Sequence, residues 1–139
     1  MYEKILLAAD GSTNSLRAAT EAVKIAAFSP TCNVEIVFVA DFSKSKNDIL
    51  HAQGKEELEL SRRKKVLPIE KQFQQQCIQY SVTILRGDPG PIIIEYANSN
   101  SFDLVIIGSR GLNTLQEMVL GSVSHKVVKR VNCPVLIVK

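Results

Sequence analysis

Asp103-Leu104-Val105-Ile106-Ile107-Gly108-Ser109-Arg110-Gly111 is a short apolar run that ends in two glycines, and Gly121-Ser122-Val123 then opens a stretch of helical character. An unbroken apolar run of this length, with no polar alternation, reads as a strand buried on both faces, the kind found inside a parallel sheet covered by helices. Glycine costs roughly 0.5–1 kcal/mol relative to alanine where ordinary backbone would serve, so Gly108, Gly111 and Gly121 at one strand-to-helix junction point to positive φ angles or to a ligand against the main chain. A helix that starts near Ser122 directs unbonded N–H groups and the positive end of its dipole toward that junction. Singly, Gly108 reads as a strand end, Gly111 as a turn and Gly121 as a helix opening. Together they point to an anion site at the mouth of a buried strand.

The same alternation extends outward in both directions. Ile5 to Ala9 is an apolar strand ending at the turn Asp10-Gly11-Ser12, and Leu16, Ala19, Val23 and Ala26 then recur at helical spacing until Ser29-Pro30 closes the segment. Val34 to Ala40 is the second strand, with Asp41 at its carboxyl end, and the polar stretch from Phe42 to Lys55 reads as a mobile loop. Glu56 to Gln79 is helical in composition, with Leu58, Val66, Ile69, Phe73 and Cys77 available for a buried side. Pro68 lies inside it, and an internal proline removes a hydrogen bond and clashes with the preceding turn at roughly 3 kcal/mol, which predicts a kink or break near Leu67. Val82 to Leu85 is the third strand, and Gly87-Asp88-Pro89-Gly90-Pro91 hands over to a helix from Ile92 to Asn98. Val123, Val127 and Val131 mark a face of the last helix, and Val135 to Val138 is a fifth strand. Strands alternating with helices predict an α/β domain with a mainly parallel sheet and helices on both faces.

A chain of 139 residues, 45% hydrophobic and 22% charged, fits one domain spanning residues 1–139. Its 17 Lys and Arg against 14 Asp and Glu leave a net charge of only +3, and outside Arg62-Arg63-Lys64-Lys65 the basic residues are scattered. Nucleic acid is therefore not the expected partner, since a binder needs a basic stripe, and the run at 62–65 reads as a solvated helix face. Cys32, Cys77 and Cys133 form no CxxC, and with two distant histidines they give no zinc pattern, so reduced, small packed thiols are expected. His125, without an acid or nucleophile beside it, reads as surface. The first apolar run is too short for a signal-sequence core or a bilayer span, which makes a soluble, cytoplasmic protein the expectation.

Neither G-x-x-x-x-G-K-[ST] nor G-x-G-x-x-G occurs, so the Walker and Rossmann fingerprints fail. The spacing Gly108-x2-Gly111-x9-Gly121-Ser122 instead resembles the nucleotide-binding signature of the universal stress protein family. Ile5 to Ser12 resembles that family's first strand and Asp-x-Ser turn, and Arg86-Gly87-Asp88-Pro89 its third-strand exit. Asp103 to Gly108 resembles its fourth strand and Cys133-Pro134-Val135-Leu136-Ile137-Val138 its last. Matching motifs span nearly the whole chain, with Phe42 to Gln79 uninformative.

The resemblance implies a five-stranded sheet of order 3-2-1-4-5, in which Asp10 and Gly108 end the two strands at the topological switch point where ligands enter such sheets. It implies an ATP site, since the complete glycine signature belongs to the nucleotide-binding members. Carried over by position, Ala8 and Asp10 would line the adenosine side, the main chain of Val39 would read the adenine edge, and Ile107 would pack nearby. Gly108, Arg110, Gly111 and Gly121 would let the backbone wrap ribose and phosphates. Ser122 and Ser124 would add hydroxyls and Val123 a backbone N–H, while Asp10 could also reach a phosphate-bound Mg²⁺. On local sequence alone Ser122 and Asp10 read equally as helix caps, and Arg110 as a solvated loop residue. A homodimer through Val135 to Val138, an apolar edge that is unsafe exposed, is implied as well. Three rival readings stay open. One is a slow ATPase or phosphotransferase in the same crevice, one an FMN binder using Ser12-Thr13-Asn14-Ser15 as a phosphate loop, and one an interaction module whose glycines are only structural.

Overall fold

In the computed structural model of the chain, residues 2–40, 55–110 and 120–139 are described. Ile5, Leu6 and Leu7 are all fully buried, which for consecutive strand residues requires cover on both faces of the sheet. The chain supplies that cover by alternation: β1 (Lys4–Ala9), α1 (Thr13–Ala26), β2 (Asn33–Ala40), α2 (Lys55–Gln75), β3 (Gln79–Arg86), α3 (Pro89–Ser99), β4 (Leu104–Gly108), α4 (Ser122–Arg130) and β5 (Val135–Val138). The five strands form one sheet in the order β3-β2-β1-β4-β5, every pairing parallel. The expected α/β class and strand order are thus present.

Alternate side chains along the strands build two cores. Ile5, Leu7, Val34, Ile36 and Ile106 pack under α1 and α2, where Ala18, Ala19 and Ala22 let α1 approach closely and Val66, Ile69 and Phe73 anchor α2. Leu6, Val37 and Val105 face the other way, against Ile93 and Ala97 of α3 and Val127 of α4. The N–H groups of Glu3 and Lys4 both donate to the carboxylate of Asp103 (3.0 and 2.9 Å), which ties the entrance of β1 to that of β4.

The break expected at Pro68 is absent, because α2 continues from Lys55 to Gln75 as one helix. Pro68 is exposed, and the fully buried Val66, Ile69 and Phe73 hold the turns on either side to the core, so packing outweighs the missing hydrogen bond. The loop expected at 42–55 lies outside the described residues except for Lys55, which already belongs to α2. Arg63, Lys64 and Lys65 are exposed, although the stem of Lys65 comes to rest beside Gly11.

The cysteines divide. Cys32 is buried and Cys133 half-buried, whereas Cys77 is exposed rather than packed. It occupies the left-handed position that ends α2 (φ 55°), where its N–H donates to Gln74 and that of Ile78 to Phe73, the pairing that usually favours glycine. Burial pushes the thiols of Cys32 and Cys133 up from their ordinary range. β5 forms one edge of the sheet, and its four residues are all half-buried.

Candidate functional site

The second core opens toward the carboxyl ends of the strands. On that face exposure rises from 0% at Leu6 to 5% at Ala8, from 0% at Val37 to 8% at Val39, and from 0% at Val105 to 7% at Ile107. Ala8, Val39 and Ile107, which the family resemblance implies, therefore belong to one apolar floor at the carboxyl ends of β1, β2 and β4.

Strand lengths add a polar feature to that floor. The β1–β2 ladder ends at Ala9↔Phe38, while the β2–β3 ladder continues to Ala40↔Arg86. Within a strand the N–H and C=O of one residue point to the same side and successive residues alternate. The carbonyl of Ala40 accepts from Gly87 on the β3 side (3.1 Å), so Val39 directs its N–H and C=O to the opposite side, at the end of β1. The last bond of the β1–β2 ladder, required by the Ala9↔Phe38 pairing, is donated by the Val39 N–H to Ala9 C=O, and the Val39 C=O is directed past the end of β1 above the apolar floor.

At the end of β1 the chain turns sharply. An Asp10 carboxylate oxygen accepts the N–H of Ser12 (2.9 Å), and Gly11 adopts φ +81°, a left-handed conformation that explains glycine there. Ser12, not Asp10, caps α1: its hydroxyl accepts the N–H of Ser15 (3.1 Å). With Ser12 engaged in the cap and both Ser12 and Ser15 buried, the segment Ser12 to Ser15 is built as a helix start rather than as an open phosphate loop.

The end of β4 is clamped to the start of α4 by one carbonyl. Ser109 C=O accepts the N–H of Gly121 (2.8 Å) and the hydroxyl of Ser124 (2.9 Å), while the Ser109 N–H donates to Val138 of β5 (2.8 Å). Gly121 is the N-cap of α4 and brings no side-chain acceptor; Ser122 is the first helical residue and not the cap. The first bond of the helix is donated by His125 to Gly121 (2.9 Å), so the N–H groups of Ser122, Val123 and Ser124 stand at the helix mouth outside the helical ladder. Ser122 is exposed and its hydroxyl faces solvent, whereas Ser124 is buried and its hydroxyl is engaged by the clamp.

The two described glycines of the signature differ in cause. A Cβ on Gly108 would stand 2.9 Å from Cβ of Asn14 and 3.1 Å from its backbone carbon, so the first turn of α1 itself requires glycine. Gly121 has an ordinary φ of −61°, and a Cβ there would meet Cα of Arg110 and O of Ser109 at 3.4 Å, normal contact distances. Among the described residues nothing in the packing requires glycine at 121. Gly111 lies outside the described residues. Sequence reasoning missed Ser109 and Asn14, since one acts through its carbonyl and the other through the position of its backbone. Among the described residues no group of three or more His, Cys, Asp and Glu side chains could hold a metal ion by themselves.

Comparison with known proteins fits this geometry. The model of the universal stress protein family matches residues 1–139. The chain is 33% identical to universal stress protein YxiE of Bacillus subtilis, with all of both proteins covered. It is also 33% identical to universal stress protein MJ0531 of Methanocaldococcus jannaschii, covering all of this chain and 83% of that one. The solved structure of protein MJ0577 superposes with a TM-score of 0.85 at 28% identity, covering 100% of this chain and 96% of that one. A universal stress protein in complex with cAMP superposes at 0.68 with 25% identity and coverage of 99% and 97%. The fold is shared by an Arabidopsis thaliana member with AMP bound (TM-score 0.71, 19% identity, coverage 99% and 91%) and an Archaeoglobus fulgidus member in complex with dAMP (0.73, 18%, coverage 99% and 98%). The chain belongs to the universal stress protein family.

Proposed function

We propose that this protein binds ATP, with Mg²⁺, in the crevice between the ends of β1, β2 and β4 and the start of α4, and that the bound nucleotide governs its conformation or choice of partner in a cytoplasmic stress response. The observation that carries this reading is the apolar floor of Ala8, Val39 and Ile107 beside the open mouth of α4, with the Val39 C=O directed past the end of β1 as an acceptor for an adenine edge. The phosphates would lie at the mouth of α4, against Gly108, Gly111 and Gly121, and receive the N–H of Val123 and the hydroxyl of Ser122. Ser124 would contribute its backbone N–H, because its hydroxyl is held by Ser109. Asp10, half-buried at the end of β1, would accept from a ribose hydroxyl or reach the phosphate-bound Mg²⁺, and Arg110 would add positive charge. The adenine nucleotides bound by family members support this choice of ligand.

Denaturing the freshly purified protein and separating the released small molecules by ion exchange tests it. ATP or ADP is the expected product. A folded protein that releases no nucleotide and retains none after incubation with Mg·ATP would overturn the proposal.

The half-exposed edge β5 would pair with a second copy to give a homodimer, which would also cover an apolar strand that is otherwise open to indiscriminate pairing. Sedimentation at micromolar concentration should return twice the chain mass, and a monomer there would rule the dimer out.

A further inference from the structure

At the amino-terminal edge of the sheet, opposite the nucleotide crevice, a cleft between the ends of α1 and α2 is lined by both Cys32 and Cys77, together with Ala26, Ser29 and Ile78. The β2–β3 register pairs Asn33 with Gln79, so one residue earlier Cys32 stands beside Ile78, a strand spacing of about 4.8 Å away. Cys77 is the residue next to Ile78 and lines the same cleft as Cys32, and a disulfide between them would bring their Cα atoms to about 4.4–6.8 Å. Phe73, one helical turn before Cys77, shares a core cluster with Cys32, so the end of α2 is held against the strand that Cys32 begins.

We propose that Cys32 and Cys77 form a reversible intramolecular disulfide under hydroperoxide, making this cleft an oxidative modification site independent of the nucleotide crevice. An L-residue with an exposed thiol occupies the left-handed position that ends α2, which glycine fills without strain, and strained backbone positions cluster at functional sites.

Burial divides the two roles. Cys77 is exposed and meets the oxidant first, whereas Cys32 is 2% exposed and its thiol is pushed up by burial and by the charges of Glu3 and Asp103. The Cys77 thiolate attacks one oxygen of hydrogen peroxide, the O–O bond breaks, and a sulfenic acid forms with release of water once the departing hydroxide is protonated. Cys32 then gives up its proton and attacks the Cys77 sulfur, the S–O bond breaks, and the second hydroxide leaves as water with that proton. Two thiols and one peroxide thus become one disulfide and two waters. Cys133 is half-buried with its thiol also pushed up, and it lies before β5 on the far side of the sheet, so it does not compete.

The test is a thiol count and a non-reducing peptide map after a small excess of hydrogen peroxide on the reduced full chain. Of the three thiols, wild type should lose two, regain them with dithiothreitol, and yield one linked peptide pair carrying Cys32 and Cys77. Cys77→Ser alters an exposed side chain and should keep both remaining thiols at the same peroxide dose, with its thermal unfolding recorded to confirm the fold. Cys133→Ser should still form the link and lose both of its thiols. A link to Cys133, links only between chains, or a Cys77 that proceeds to sulfinic acid while Cys32 stays free would each overturn the proposal.

Discussion

Gly121→Val should weaken Mg·ATP binding by at least about 100-fold, close to 2.7 kcal/mol, while its thermal midpoint stays within about 3 °C of wild type. The two halves of that expectation come from different features. The fold should tolerate the change because Gly121 has an extended backbone (φ −61°, ψ 158°) that valine adopts readily, and a Cβ there meets only contacts at 3.4 Å or beyond. Binding should not, because the new methyl groups would stand at the N-cap of α4, over the N–H groups of Ser122, Val123 and Ser124 that would receive the phosphates. Titration calorimetry of both proteins reads the affinity, and differential scanning calorimetry reads the midpoint. Gly121→Ala, with a single methyl, should fall between them. Unchanged affinity in Gly121→Val would move the phosphates away from α4 and leave the glycine without a ligand-based reason.

Much of this architecture is legible in the amino-acid order because its buried strands lack polar interruption. Ile5 to Ala9 and Leu104 to Ile107 are apolar throughout, a pattern that an antiparallel sheet with a wet face would not show. The residues of the apolar floor, Ala8, Val39 and Ile107, came from the family resemblance rather than from the strand pattern alone. What directs the Val39 C=O past the end of β1 was legible in neither, because it depends on β1 stopping short of β2, a fact of pairing rather than of residue type. The clamp at Ser109 was hidden for a related reason, as a carbonyl oxygen leaves no mark on side-chain pattern. Pro68 misled in the other direction. Its local cost is real, but Val66, Ile69 and Phe73 bury around it, and tertiary packing decides whether the helix continues. Cys77 likewise occupies a place set by how α2 ends, where the left-handed turn leaves it exposed although it follows the buried Phe73 at helical spacing.

Gly108→Ala should have the opposite profile to Gly121→Val: a loss of about 2–3 kcal/mol of stability, lowering the midpoint by about 10 °C. The added methyl would stand 2.9 Å from Cβ of Asn14, 3.1 Å from its carbonyl carbon and 3.2 Å from its oxygen. Two of those atoms are backbone, so no side-chain rotation relieves the contact. Nor can α1 simply retreat, because Ala18, Ala19 and Ala22 are fully buried against the sheet and any outward shift opens space beneath all three. A double-mutant cycle with Asn14→Gly identifies the cause. That change removes the nearest of the three atoms, so the combined variant should be about 1 kcal/mol more stable than the sum of the two single changes allows. Additive losses would mean that the contact with Asn14 is not what makes glycine necessary. An unchanged midpoint in Gly108→Ala would mean that α1 yields freely; Gly108 would then join Gly121 as a position kept open for the ligand. Among the described residues Gly108 thus answers to the packing of α1 on β4, whereas Gly121 has its role in the proposed site, where a ligand would approach its backbone.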